Sequence, residues 1–250
     1  MKAMQPAVQR IEGELRDIFG SRLLSLVVYG ERMRAAREPD RKAGHSGRHV
    51  DRESQPVQTL AIVESLGRDD LRACARRVKG WHDGGLATPL VLASHEFERS
   101  LDAFPLEFGA ILADHTIVAG ANPFEQLAVD AADLRRAVEV QARSHLLHLR
   151  EGYIETGGRG DALAVLIVQS APAFAGLIMS LARLEGRATD DPLIAARQGD
   201  NLLGIDGVLA KIVELAGVRE IPSADADRLF PPYLDAVQRL VQYVDTWSGR

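Results

Sequence analysis

The sequence predicts an α/β (α+β) N-terminal domain with a mixed sheet, followed by an all-α helical-bundle C-terminal domain. Three observations predict it. Short, β-branched runs bounded by glycine lie before residue 121, and stretches with apolar residues at three- and four-residue steps fill the chain after 122. A polar segment without apolar periodicity separates the first two runs. The expected domains are therefore 1–121, with 31–55 as a polar and flexible loop, and 122–250.

Val8, Ile11, Leu15, Ile18 and Phe19 recur at helical spacing, so an opening helix runs from about Gln5 to Phe19 and Gly20 ends it. Leu23 to Tyr29 is an apolar run stopped by Gly30, the mark of a buried strand. Val57 to Val63 is a second such run. Asp69 to Trp81 reads as one helix through Leu71, Cys74, Val78 and Trp81. Thr88 to Ala93 is a third strand, and Ser94 is placed to cap a helix ending at Ala103. Pro105 to Leu112 and His115 to Val118 read as one or two further strands, closed by Gly120.

Between the first two strands, Glu31 to Gln55 carries Arg32, Arg34, Arg37, Arg41, Lys42, Arg48 and Arg52 among acids and glycines. Two readings stay open there: a solvated, mobile loop, or a basic lid that folds over a polyanion. In the second half, Asp130 to Ile154 is a helix broken by Thr156-Gly157-Gly158. Asp161 to Leu184 is apolar on most faces and belongs at the centre of a bundle. Leu202 to Ala216 and Ala224 to Trp247 are the last two helices, the final one kinked or interrupted at Pro231-Pro232.

Composition narrows the function classes. Hydrophobic residues make up 46% and charged residues 26%, so the chain can bury a core. A net charge of −5 gives no overall attraction to nucleic acid or anionic lipid. The single Cys74 excludes a disulfide within the chain and a cysteine-based zinc site, and reads as a structural thiol. Gln169, Ser170 and Pro172 interrupt the longest apolar stretch, which suits a bundle helix better than a membrane span. The N-terminus lacks a signal-peptide apolar core, and a cytoplasmic location is expected.

Few side chains outside the strands suggest chemistry. His145 and His148 share a helical face without carboxylates at ligand spacing, so they read as packing histidines. His45 and His49 fall in the polar loop. Gly157-Gly158-Arg159-Gly160-Asp161 lacks the Gly-Lys-Ser/Thr ending of a phosphate loop and reads as a helix–helix connection. There is no Gly-x-Ser-x-Gly elbow. Trp81 and Trp247 read as edge-of-core aromatics.

The layout resembles the polymerase-beta-like nucleotidyltransferase superfamily, including the kanamycin nucleotidyltransferase-like bacterial proteins. Val27-Val28-Tyr29-Gly30 stands where that family has its Gly-Ser turn, and Leu60-Ala61-Ile62-Val63 looks like its second strand. Ser100 to Phe108, the Val118-Ala119-Gly120 turn, and the helix with Arg135, Glu139, Leu146 and Arg150 look like bacterial members. The resemblance implies a glycine turn at Gly30 that approaches a triphosphate, a hydroxyl after it, and two aspartates alternating along the next strand to hold two magnesium ions.

Here the pattern departs from the family. Glu31 stands at the hydroxyl position, Val57 and Thr59 stand at the aspartate positions, and only Glu107 remains where a third carboxylate is expected. Asp51 and Glu53 would rescue a metal site only under a register shift. The expectation is a degenerate, non-catalytic protein with a binding or regulatory role, its turn at Gly30 and Glu31 and its one catalytic candidate at Glu107. No cofactor and no metal are expected. The alternative is an active magnesium-dependent nucleotidyltransferase with a non-standard site. Under either reading the partner is a nucleotide or another protein; membrane and nucleic-acid partners are not supported.

Overall fold

A computed structural model describes residues 5–30, 56–189 and 191–249. It divides the chain into two compact units, Met1–Val129 and Asp130–Arg250. Glu31, Asp51, Glu53, His45, His49 and the loop reading for 31–55 lie outside the described residues.

The first unit is a four-stranded mixed sheet covered on both faces. Its strands are β1 (Leu23–Tyr29), β2 (Gln58–Val63), β3 (Leu90–Ala93) and β4 (His115–Gly120), in the order β3-β2-β1-β4. β1 runs antiparallel to both neighbours, and β3 is parallel to β2. Leu24 is an extra residue between Leu23, which pairs with Val63, and Ser25, which pairs with Ile62. This bulge brings the Leu24 carbonyl onto Gly120, where a Cβ would have no room, so glycine is required at φ +78°.

Alternation divides the strand residues between two cores. On one face Leu26, Val28, Val57, Ala61 and Val63 pack with Ile11, Leu15 and Phe19 of α1 (Gln5–Phe19) and with Trp81. On the other, Val27, Leu60 and Ile62 pack with Phe97, Leu101, Phe108, Ile111 and Phe124. Trp81 is fully buried rather than at the edge, and its indole N–H donates to Glu14 at 2.6 Å.

Three sequence expectations for this unit need correction. Asp69 to Trp81 is two short helices, α2 (Arg68–Ala75) and α3 (Val78–Asp83), because the chain turns at Arg77, whose N–H reaches the Cys74 carbonyl. Ser94 does not cap the next helix, α4 (Ser94–Ala103). Ala93 is the N-cap, and the Glu96 carboxylate accepts its N–H at 2.9 Å. Pro105 to Leu112 is not a strand but α5 (Pro105–Ala113). Proline is preorganised for the first helical position, where no N–H is needed. Cys74 is buried, and burial raises its thiol pKa, as expected of a structural residue.

The second unit is a helical bundle of α6 (Ala131–Glu155), α7 (Gly160–Leu184), α8 (Pro192–Leu203), α9 (Val208–Glu214) and α10 (Ser223–Asp245). Asp130 caps α6 by accepting the N–H groups of Ala132 and Asp133. The Gly157-Gly158 connection takes positive φ at both glycines, as a sharp helix–helix turn requires. α7 packs against all four other helices.

The sequence reading of Leu202 to Ala216 as one helix is corrected. Gly204 and Gly207 adopt left-handed conformations there, ending α8 and opening α9. The buried Asp200 carboxylate accepts the Leu209 and Ala210 N–H groups and so closes the α9 terminus. Pro231-Pro232 does not interrupt α10. Phe230 and Tyr233, buried on either side of the pair, hold the helix to the bundle through the two missing N–H groups.

Candidate functional site at the Gly30 end of the sheet

Gly30 follows β1 with φ +92° and lies beside the Gln58 side chain, whose Oε1 would stand 3.3 Å from a Cβ there. The register sets what surrounds it. Tyr29 pairs with Gln58 of β2 on one side and with His115 of β4 on the other. The residue before His115 is Asp114, so one carboxylate and one imidazole border the Gly30 end of the sheet. Burial raises the Tyr29 pKa and keeps its hydroxyl protonated near neutral pH. The His115 Nδ1 lies 3.0 Å from the Ile111 carbonyl, and its ring sits against Phe124 at 4.6 Å between centroids.

Val57 and Thr59 occupy the face turned toward α1. Val57 is 2% exposed and Thr59 1%, and Val57 packs in the core with Ile11, Leu15 and Trp81. The Thr59 hydroxyl has no hydrogen-bond partner. Ligands placed at these two positions would point into a packed apolar layer, where solvent and a triphosphate have no access. Burying a carboxylate there without a partner is strongly unfavourable.

Glu107 belongs to a helix and not to a strand. It lies exposed in the first turn of α5, where a carboxylate complements the helix dipole. The useful signal was the acidic residue immediately before a β-branched run, and the long-range register that places it beside Gly30 is not readable locally. Among the described residues, no three His, Cys, Asp or Glu side chains gather in a metal-binding arrangement.

The two histidines of α6 separate. His145 is buried, with its Nε2 2.7 Å from the Tyr233 hydroxyl of α10, which lies 3.1 Å from the Ser170 hydroxyl of α7. Ser170 donates to the Ile167 carbonyl. Hydrogens running from His145 to Tyr233 to Ser170 to that carbonyl give each donor an acceptor. Burial, then the neighbouring His148, pushes the His145 pKa down to about 4, and burial raises that of Tyr233. His148 is exposed. A cleft of about 550 Å³ lies between the starts of α7 and α10, lined by Arg159, Arg219, Asp161 and Glu220. Its two arginines and two carboxylates balance, so it attracts neither anions nor cations strongly.

No protein-family model matches the chain, and no curated protein matches it.

Proposed function

We propose that this chain is a degenerate nucleotidyltransferase-fold protein that does not transfer nucleotides and that serves a binding or regulatory role through the Gly30 end of its sheet. The observation that carries this reading is the burial of Val57 and Thr59 beneath α1. A two-metal mechanism needs anionic ligands facing a triphosphate, because the metals offset the charge that repels an incoming nucleophile. Here both positions are neutral and face the core. The groups that border Gly30 are suited to hydrogen bonding: the Gln58 amide, the His115 ring and the Asp114 carboxylate.

The active-enzyme alternative keeps one feature in its favour. Asp114, adjacent to the residue paired with Tyr29, is a carboxylate of the kind that binds a single magnesium ion. Labelled nucleoside triphosphates, magnesium or manganese and a broad acceptor pool distinguish the two readings. The proposal expects no transfer above the protein-free background. Robust transfer that is abolished by Asp114→Asn or by Glu107→Gln would overturn it.

A further inference from the structure

The connection from α6 to α7 reads in sequence as a bare helix–helix turn, yet it forms one wall of the cleft between the starts of α7 and α10. The turn is locked from within. The Thr156 hydroxyl donates to the Tyr153 carbonyl at 2.7 Å and accepts the Gly158 N–H at 3.3 Å, and Thr156 is buried. Arg159 Nε donates to the Thr156 carbonyl at 3.4 Å, which ties the guanidinium to this turn. The two terminal nitrogens of Arg159 have no hydrogen-bond partner among the described residues. A close approach sets the other wall. A Cβ on Gly160 would stand 3.0 Å from the Ser223 Cβ, so glycine there lets α10 come up against α7.

The cleft, at about 550 Å³, has the volume of a small-molecule site. Each wall brings one cation and one anion: Arg159 and Asp161 at the start of α7, Arg219 and Glu220 in the segment before α10. Among the described residues, none of these four side chains forms an ion pair, either with one another or elsewhere. Opposite charges that share a cleft without pairing leave both signs open to a ligand. Val165, which is 54% exposed, and Ile221 add apolar surface to the same lining.

The balance of charge chooses the ligand. A simple anion would meet two carboxylates and a simple cation two arginines, so neither gains from the cleft as a whole. A molecule that carries both charges satisfies both. We propose that this cleft binds a small zwitterion, a free α-amino acid or a dipeptide with aliphatic side chains. Arg159 and Arg219 take its carboxylate, to which a guanidinium fork can give two parallel N–H bonds. Asp161 and Glu220 take its ammonium group, and Val165 and Ile221 cover its side chain. The starts of α7 and α10 add N–H groups for the carboxylate, since neither Arg159 nor Pro222 supplies a side-chain cap. All these residues belong to the helical unit, so the site is separate from the Gly30 end of the sheet and independent of nucleotide binding.

The test is calorimetry of the full chain with leucine and with alanyl-leucine, beside two analogues that each lack one charge. N-acetyl-leucine keeps only the carboxylate, and leucinamide in mildly acidic buffer keeps only the ammonium group. At least one zwitterion should bind with a Kd below about 1 mM, and each single-charge analogue should bind at least ~10-fold more weakly. The tighter of leucine and alanyl-leucine tells whether the site takes an amino acid or a dipeptide. Arg219→Gln and Glu220→Gln, both at exposed positions, should each weaken the zwitterion by ~10-fold or more. Arg197→Gln, exposed on α8 and outside the cleft lining, should leave the affinity unchanged. The analogue series uses the wild-type chain, so its reading stands even where a variant misfolds by circular dichroism. Absence of binding by both zwitterions at tens of millimolar would overturn the proposal. So would a single-charge analogue that binds as tightly as its zwitterion, or an affinity indifferent to both cleft variants.

Discussion

The sheet unit and the helical unit hold their central elements together by different means. In the sheet, the Ser25 and Thr59 hydroxyls are buried without partners, on strands otherwise filled by aliphatic residues. In the bundle, the Gln141 and Gln198 amide oxygens are also buried without partners, but other buried polar groups link one helix to another. His145, Tyr233 and Ser170 link three helices, and Asp200 closes α9. On the edge of the bundle, Glu185 accepts both the Tyr243 hydroxyl and the Trp247 indole N–H. The difference teaches where specificity resides. The sheet is held by packing and tolerates two orphan hydroxyls, whereas the bundle fixes its helix positions with directional bonds.

The largest effect that would break this comparison comes from restoring the aspartates. Val57→Asp with Thr59→Asp would place two carboxylates against Ile11, Leu15 and Trp81. The expected cost is more than ~5 kcal/mol, enough to unfold the first unit. Urea denaturation measures it. A folded double variant that binds magnesium would show that this face is open.

Next in size is the bundle core. Ile167→Asp should cost more than ~4 kcal/mol, since Ile167 is fully buried. Leu166→Asp should cost clearly less, because Leu166 is half-buried against Gly152. Thermal melts of the two variants rank them; equal losses would show that α7 is enclosed on all sides.

The His145 link predicts a specific acid sensitivity. Its folded pKa of about 4 lies below the ordinary value of 6.5, so the unfolded chain takes up a proton first as pH falls. The neutral-histidine contribution is therefore complete above about pH 6.5, declines through the interval and is lost below about pH 4. The full span corresponds to roughly 3 kcal/mol. His145→Gln keeps a partner for Tyr233 without titrating, so it should flatten the stability difference across that window. A wild-type slope retained in the variant would refute the assignment.

The smallest expected effect is a gain. Thr59→Val replaces an unpartnered hydroxyl with a methyl of similar shape and should stabilise the sheet unit by about 1 kcal/mol. Ser170→Ala removes a partnered hydroxyl and should destabilise by a similar amount. The two signs together sharpen the contrast between the units.

Much of the fold was legible because it is written in local periodicity. β1 and β2 are largely aliphatic runs of strand length, and α1, α6 and α10 carry apolar stripes at helical spacing. α5 was misread because Leu106, Phe108, Ile111 and Leu112 show no single-faced pattern, since a short helix wedged against the sheet is apolar on several sides. α8 was missed because its buried face is Ala195, Ala196 and Gly199, residues too small to register as a stripe. Gly199 is small because Leu209 would meet a Cβ there. At the candidate site, Gly30 was legible as a turn. Asp114 was not, because only the pairing of β1 with β4 brings it there.

Nucleotide affinity titrated against magnesium tests the central claim most directly. Calorimetry of the full chain with ATP, at magnesium concentrations from zero to excess, reads both binding and its metal dependence. A core-facing Val57 and Thr59 predict an affinity for ATP, whether weak or strong, that is unchanged by the metal within about twofold. Tightening of tenfold or more on adding magnesium, lost in Asp114→Asn, would contradict the account and establish a working metal site beside Gly30.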